Sequence, residues 1–229
     1  MDSNNDCYNE LYKSYETERL LLERTTDNDY LPLAEIMLNK NVNFQYQRPI
    51  LYLDDINKSV EFIKSQSTNS VSFTIKLKNN GSPIPMGQIG FFYTDPSNKE
   101  IAIFYYIGEE FQRKGYAGEA ACPLIRHLFE NLPCSKLIKI DYAENNLGSK
   151  KIGDKIQEDI LKYHPGYLYG KLIPFSDKYT MVGEPKDGKV TYLFEGYDRT
   201  CQSTYPDNFF GNQKYFEIKS VGIFLMKDN

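Results

Sequence analysis

The residues best placed to do chemistry are Gln112-Arg113-Lys114-Gly115-Tyr116-Ala117. They stand between an apolar run that reads as a strand, 101–107, and a run that reads as a helix, Gly118 to about Phe129. A glycine turn from a strand into a helix can hold phosphate. The first N–H groups of a helix have no intrahelical partner, and the helix dipole favours negative charge there. Gly115 lets the backbone come close to a ligand, and Arg113 and Lys114 add positive charge. Turns of this kind also occur with no ligand, so the local chemistry leaves a structural role open.

Composition narrows the function classes. A chain of 229 residues with 41% apolar and 25% charged residues is an ordinary globular mixture, large enough for a full core. Lys+Arg 27 against Asp+Glu 31 leaves a net charge of −4. Nucleic-acid binding, which needs a basic footprint, is therefore not expected. Cys7, Cys122, Cys134 and Cys201 lack metal spacing, and His127 and His164 are the two histidines, so no metal site is expected. No run approaches the ~18 apolar residues of a membrane span. The polar N-terminus has no signal-like apolar core. A cytoplasmic protein with no membrane partner is the expectation, as a monomer or homodimer.

The elements that must position the turn follow from periodicity and caps. Residues 1–15 read as a mobile lead-in and 19–24 as a strand. Thr26 or Asp27 can cap a helix running to about Asn39, and Asp54 or Asp55 a second one. Residues 71–77, 86–93 and 101–107 read as strands separated by turns at 79–83 and 95–98. After the helix beyond Gly115 come a strand, 137–142, and a helix, 148–162, stopped by His164-Pro165-Gly166. This order predicts an α/β fold with a mixed, mostly antiparallel sheet flanked by helices. Residues 167–175 and 189–197 are candidate strands, 215–226 is a strand, and 200–212 reads as polar and turn-rich. The expected organisation is one domain over 16–199, with 200–229 an atypical β-rich extension adding a strand to it.

The layout resembles the GCN5-related N-acetyltransferases (GNAT). More narrowly it is similar to the branch that acetylates ribosomal-protein N-termini. Glu16-Thr17-Glu18-Arg19-Leu20-Leu21-Leu22 is similar to that branch's opening strand, and Met86-Gly87-Gln88-Ile89-Gly90-Phe91 to its third-strand pattern. Gln112 to Ala117 fits the superfamily's pyrophosphate turn, and Glu119-Ala120 the pair that follows it. Glu144-Asn145-Asn146-Leu147-Gly148-Ser149 is similar to the family's "EN..S" segment. The likeness covers roughly 16–156.

The resemblance implies acetyl transfer from acetyl-CoA to a primary amine, either a protein N-terminus or a small amine. The backbone around Gln112, Arg113, Lys114, Gly115, Tyr116, Ala117 and Gly118 would cradle the pyrophosphate. Tyr106-Ile107-Gly108 would pair with the pantetheine arm like an added strand. Asn146 would bind that arm or order a water. Many relatives carry a Tyr on the last helix that protonates the departing thiolate; Gly153 stands there, so Ser149 becomes the candidate acid. Where the branch places a strand Glu this chain has Ala102. Glu100, two residues earlier and on the same face, is the candidate base, acting directly or through water. From the residues alone, Ser149 and Asn146 read equally well as a helix cap and a turn residue. Glu119 reads as a carboxylate favouring the helix dipole. The alternative reading is a degenerate relative acting as an acyl-CoA-binding or protein-interaction module.

Overall fold

A computed structural model describes residues 14–45, 55–95, 100–131, 137–143, 146–163, 168–169, 173–195, 200–206 and 213–226. The lead-in up to Lys13, Glu144 and the His164–Gly166 stop lie outside the described residues. Strands β1 (Tyr15–Glu16) and β2 (Leu20–Arg24) lead into helices α1 (Asp27–Leu38), α2 (Lys40–Gln45) and α3 (Ile56–Asn69). Strands β3 (Val71–Leu77), β4 (Ile84–Asp95) and β5 (Glu100–Ile107) follow, then α4 (Tyr116–Asn131), β6 (Leu137–Ala143) and α5 (Leu147–Tyr163). The chain ends in β7 (Leu168–Tyr169), β8 (Ile173–Met181), β9 (Lys189–Glu195), β10 (Thr200–Pro206) and β11 (Tyr215–Met226).

The caps have clear chemistry. Asp55 accepts from the N–H of Asn57 at 2.8 Å and of Lys58 at 3.2 Å, which starts α3. Asp29 reaches back to the Thr26 N–H at 2.9 Å and starts α1. Among the described residues eleven strands form one sheet, ordered β1-β2-β3-β4-β5-β6-β11-β8-β9-β10, with β7 also on β11. The pairing is antiparallel except for β5 beside β6, which run parallel with α4 crossing between them. This is the mixed, mostly antiparallel sheet expected from the sequence.

Two cores sandwich the sheet. Leu20, Leu22, Phe73, Ile75, Ile89, Phe91, Ile101 and Ile140 pack with Leu124, Ile125 and Leu128 of α4. On the other face Leu33 and Met37 of α1, Val42, Ile63 of α3 and Tyr106 of β5 form a smaller cluster. Gly87 of β4 is required by close approach: a Cβ there would lie 2.2 Å from the Tyr106 carbonyl.

The C-terminal third departs from the sequence reading. Thr200–Pro206, expected as a turn-rich loop, is strand β10, antiparallel to β9 from Thr200↔Glu195 to Pro206↔Lys189. Its polarity is that of a solvent-facing strand: Gln202 and Thr204 are exposed, and the Thr204 and Thr191 hydroxyls bond across the pair at 2.8 Å. β8 runs from Ile173 to Met181, later than the 167–175 expected, and α2 was not foreseen. β11, at the 215–226 expected for a strand, pairs with β6 on one side and β8 on the other.

Candidate functional site

The β5–β6 pairing covers only Glu100↔Leu137 to Ile103↔Ile140. β5 continues to Ile107 and β6 to Ala143, so beyond Ile103 the two strands part. Among the described residues the β6-facing backbone of Phe104 to Ile107 has no strand opposite it. A cleft of about 820 Å³ opens there, lined on one side by Tyr105, Tyr106 and Ile107. The turn contributes Gln112, Arg113, Gly115, Tyr116, Ala117 and Gly118, and α5 contributes Asn146, Ser149, Lys151, Ile152 and Lys155.

The turn is bent by two left-handed residues, Arg113 (φ 62°) and Gly115 (φ 82°). Such a conformation costs a residue with a Cβ about 1–2 kcal/mol and a glycine almost nothing, hence Gly115. The first α4 bond runs from the Glu119 N–H to the Gly115 carbonyl at 3.1 Å. The N–H groups of Arg113 to Gly118 have no protein acceptor among the described hydrogen bonds. They form a row of donors at a helix N-terminus, and Arg113, Gly115, Tyr116, Ala117 and Gly118 line the cleft together with Lys151 and Lys155. Lys155 lies across the first turn of α4, with its Cδ against Gly118.

A network from the connection between β1 and β2 holds the turn in place. Arg19 donates through Nη1 to the Lys114 carbonyl at 3.2 Å and through Nε to Glu119 at 2.7 Å, and its guanidinium covers the Tyr116 ring at 4.4 Å. Glu119 also accepts from the Thr17 hydroxyl at 2.6 Å and the Arg19 N–H at 3.0 Å. Burial pushes the Glu119 carboxyl up, but these donors outweigh it and hold it below its ordinary value. Glu119 is thus a tie between the β1–β2 connection and α4 as well as a first-turn carboxylate.

Several expected site residues have specific places. Gln112 donates its amide to the Ile107 carbonyl at 3.0 Å, fastening the turn to the strand end. The Gly108 N–H is already bonded to the Met86 carbonyl at 2.8 Å, and neither Gly108 nor Lys114 lines the cleft. Asn146 caps α5: its Oδ1 accepts from the Ser149 N–H at 3.0 Å and its carbonyl from the Lys150 N–H at 3.0 Å. Ser149 is therefore not the cap, and it lines the cleft. Beside it stands Tyr105, whose hydroxyl is shut off from solvent and makes no hydrogen bond of normal geometry. Burial pushes that phenol up to about 12.

Glu100 is the first residue of β5, opposite Asp95 of β4 and Leu137 of β6. It precedes Tyr106 by six residues, about 20 Å at the rise of a strand. Glu109 accepts from the amides of Asn39 at 2.7 Å and Asn41 at 2.6 Å, bonds that hold its carboxyl below the ordinary value. It ties the α1–α2 connection to the β5 end, next to Val42 in the cleft wall.

The sequence reading gave no cofactor role to Lys151 and Lys155, although their i, i+4 spacing on one helix is a usable signal. Arg19 and Tyr105 carried no local signal, because their partners are far away in sequence.

A family model described as an acetyltransferase (GNAT) domain matches residues 19–157, more than half of the chain. No curated protein matches the chain in sequence. Among solved structures, an acetyltransferase of the GNAT family from Bacillus anthracis is similar at 15% identity and TM-score 0.59, covering 93% of this chain and 98% of its own. A ribosomal L7/L12 alpha-N-protein acetyltransferase solved with coenzyme A is similar at 13% identity and TM-score 0.58, covering 92% and 97%. A microcin C7 self-immunity acetyltransferase solved with acetyl-CoA and AMP reaches 16% identity and TM-score 0.57, covering 92% and 94%. At these identities the structures show a shared fold.

Proposed function

The chain belongs to the acetyltransferase (GNAT) domain family, and from that premise we propose that it transfers an acetyl group from acetyl-CoA to a primary amine. The observation that carries this reading is the row of unpartnered N–H groups from Arg113 to Gly118 at the mouth of a cleft between parting strands. The chemistry of the cleft fits a long molecule with a polyanionic end. Three cations, Arg113, Lys151 and Lys155, surround the donor row, while Tyr105, Ile107 and Ile152 line an apolar channel.

Acetyl-CoA supplies a thioester carbonyl as electrophile and a thiolate as leaving group. The backbone from Arg113 to Gly118 binds its pyrophosphate, and the edge of Phe104 to Ile107, with no strand opposite it among the described residues, lies along the arm as an added strand would. Ser149 stands where a hydroxyl can donate to the sulfur. Asn146, as the cap of α5, fixes the position of Ser149.

An acceptor α-amine, as at a protein N-terminus, suits the cleft better than a lysine-like amine. Among the described residues no carboxylate lines it. An α-ammonium, with a pKa near 8, is about one-quarter neutral at pH 7.5, a lysine-type ammonium about one part in a thousand. The α-amine therefore depends least on a base.

The same bare lining favours a second reading, a relative that binds acyl-CoA without turnover. Isothermal titration with CoA and a thiol-release assay over peptides and small amines separate the two. Binding with turnover supports the enzyme, and binding without turnover the module. No CoA binding would sink both.

Glu100 as base is part of the proposal only through a relay, because about 20 Å of strand separates it from Tyr106. Glu100→Gln is expected to lower kcat about tenfold with unchanged CoA affinity and to remove the acidic limb of the pH–rate profile. A profile and kcat equal to wild type would take Glu100 out of the mechanism.

A further inference from the structure

The cleft contains a polar group that neither the turn nor the helix cap uses. Tyr105 projects from the same face of β5 as Ile103 and Ile107, just past the last β5–β6 pair, and lines the cleft together with Ser149. Its ring packs against the main core, yet its hydroxyl is buried with no hydrogen bond of normal geometry. A buried hydroxyl without a partner costs about 1–3 kcal/mol, so its retention calls for a function. The Ser149 side chain lies close to it without closing a hydrogen bond of normal geometry, and Tyr142 of β6 is the titratable group that bears on it. Ser149 has its N–H tied to Asn146, so its hydroxyl is free of capping duty.

We propose that Tyr105 is a positioning residue behind Ser149: its hydroxyl donates to Ser149 Oγ, which turns the Ser149 proton toward the thiol end of the cofactor. A serine oxygen that already accepts a strong hydrogen bond is a better donor, because chained hydrogen bonds polarise one another. The two hydroxyls act on the leaving sulfur by donating hydrogen bonds. They keep their own protons. The C–N bond forms as the C–S bond breaks, the sulfur leaves with the bonding pair, and the amine's proton passes to solvent. The high pKa of the buried phenol, about 12, keeps Tyr105 a donor at every working pH. Tyr105 comes from a strand and Ser149 from a helix, so only the splay of β5 from β6 brings them together.

This inference rests on the acetyl-CoA reading, and its test separates the two. The thiol of CoA bound to the full-length protein is titrated by its ultraviolet thiolate absorbance in wild type, Tyr105→Phe, Ser149→Ala and the double variant. Wild type is expected to hold the bound thiol below the free value near 8.5, and each single variant to raise it by about half a unit or more. The double variant should add little, the mark of a coupled pair. A packing role for Tyr105 would alter melting temperature or CoA affinity and leave the thiol pKa unmoved. A thiol pKa in Tyr105→Phe equal to wild type, while Ser149→Ala raises it, overturns the proposal, as does additivity in the double variant. Failure of wild type to bind CoA would overturn the acetyl-CoA reading and this inference with it.

Discussion

Gly115→Glu is expected to remove CoA binding while leaving the protein folded. Gly115 sits at φ 82°, where a Cβ costs about 1–2 kcal/mol. Space is not the obstacle, since a Cβ there would meet only the Arg19 guanidinium, at 3.7 Å. A carboxylate at the start of α4 is tolerated by the helix dipole. What it cannot share is the anion's place: it would compete for the donors of Tyr116 to Gly118 and repel the pyrophosphate. Charge-assisted hydrogen bonds contribute about 1.5–3 kcal/mol each, so losing two weakens Kd by at least about 100-fold. Gly115→Ala carries the strain without the charge and should stay within about tenfold of wild type. Calorimetric titration with CoA, beside a thermal melt of each variant, checks both. Wild-type affinity in Gly115→Glu would reduce the turn to a structural element.

The largest stability effect is expected from Glu119→Ala. Glu119 is 15% exposed and takes donors from the Thr17 hydroxyl, the Arg19 N–H and the Arg19 guanidinium. Removing it leaves the Arg19 N–H without its acceptor and takes from the Thr17 hydroxyl and the Arg19 guanidinium their shortest hydrogen bonds. Because Arg19 is 43% exposed, solvent screens part of the ion pair. A loss of about 2 kcal/mol is the reasonable figure. For a chain this size that lowers Tm by about 4–8 °C. CoA affinity should fall as well, because Arg19 would lose the partner that aims it at the Lys114 carbonyl.

The pH dependence has a definite sign. The folded carboxyl of Glu119 titrates below its ordinary value. Its contribution is full above the unfolded pKa of about 4.3 and is lost as pH falls through the folded pKa. The Tm gap between wild type and Glu119→Gln should therefore be widest near neutrality and close in acid. A gap that stayed constant into strong acid would show that the charge of Glu119 contributes nothing.

Much of the cofactor side was legible from local chemistry. The turn from Gln112 to Gly118 combined a glycine needing positive φ, flanking cations and a helix start, all features a short window contains. Periodicity placed β3, β5, β6 and α4, because one buried face per element imposes a period of 2 or 3.6. Asp55 and Thr26 stood at helix starts as capping chemistry requires. Ser149 and Asn146 were found as a pair, but their division of labour was not, since either side chain can cap a helix and only the Asn146 Oδ1 contact decides it. β10 was missed because its buried partner is a backbone, that of β9, and its side chains are polar.

By itself, then, the sequence determined the run of elements as far as α5 apart from the short helix α2, the glycine turn proposed to hold the pyrophosphate, and the family whose pattern it follows. Each of these depends on neighbours within one turn or one strand pair. The tertiary structure alone decided that β11 enters the sheet between β6 and β8, that β5 and β6 part after Ile103, that Arg19 braces a turn some hundred residues away and that Tyr105 meets Ser149. These contacts join segments with no local preference for one another. They form because burying the two faces of one sheet leaves the strands and helices a single consistent arrangement, and no short window of residues contains that condition.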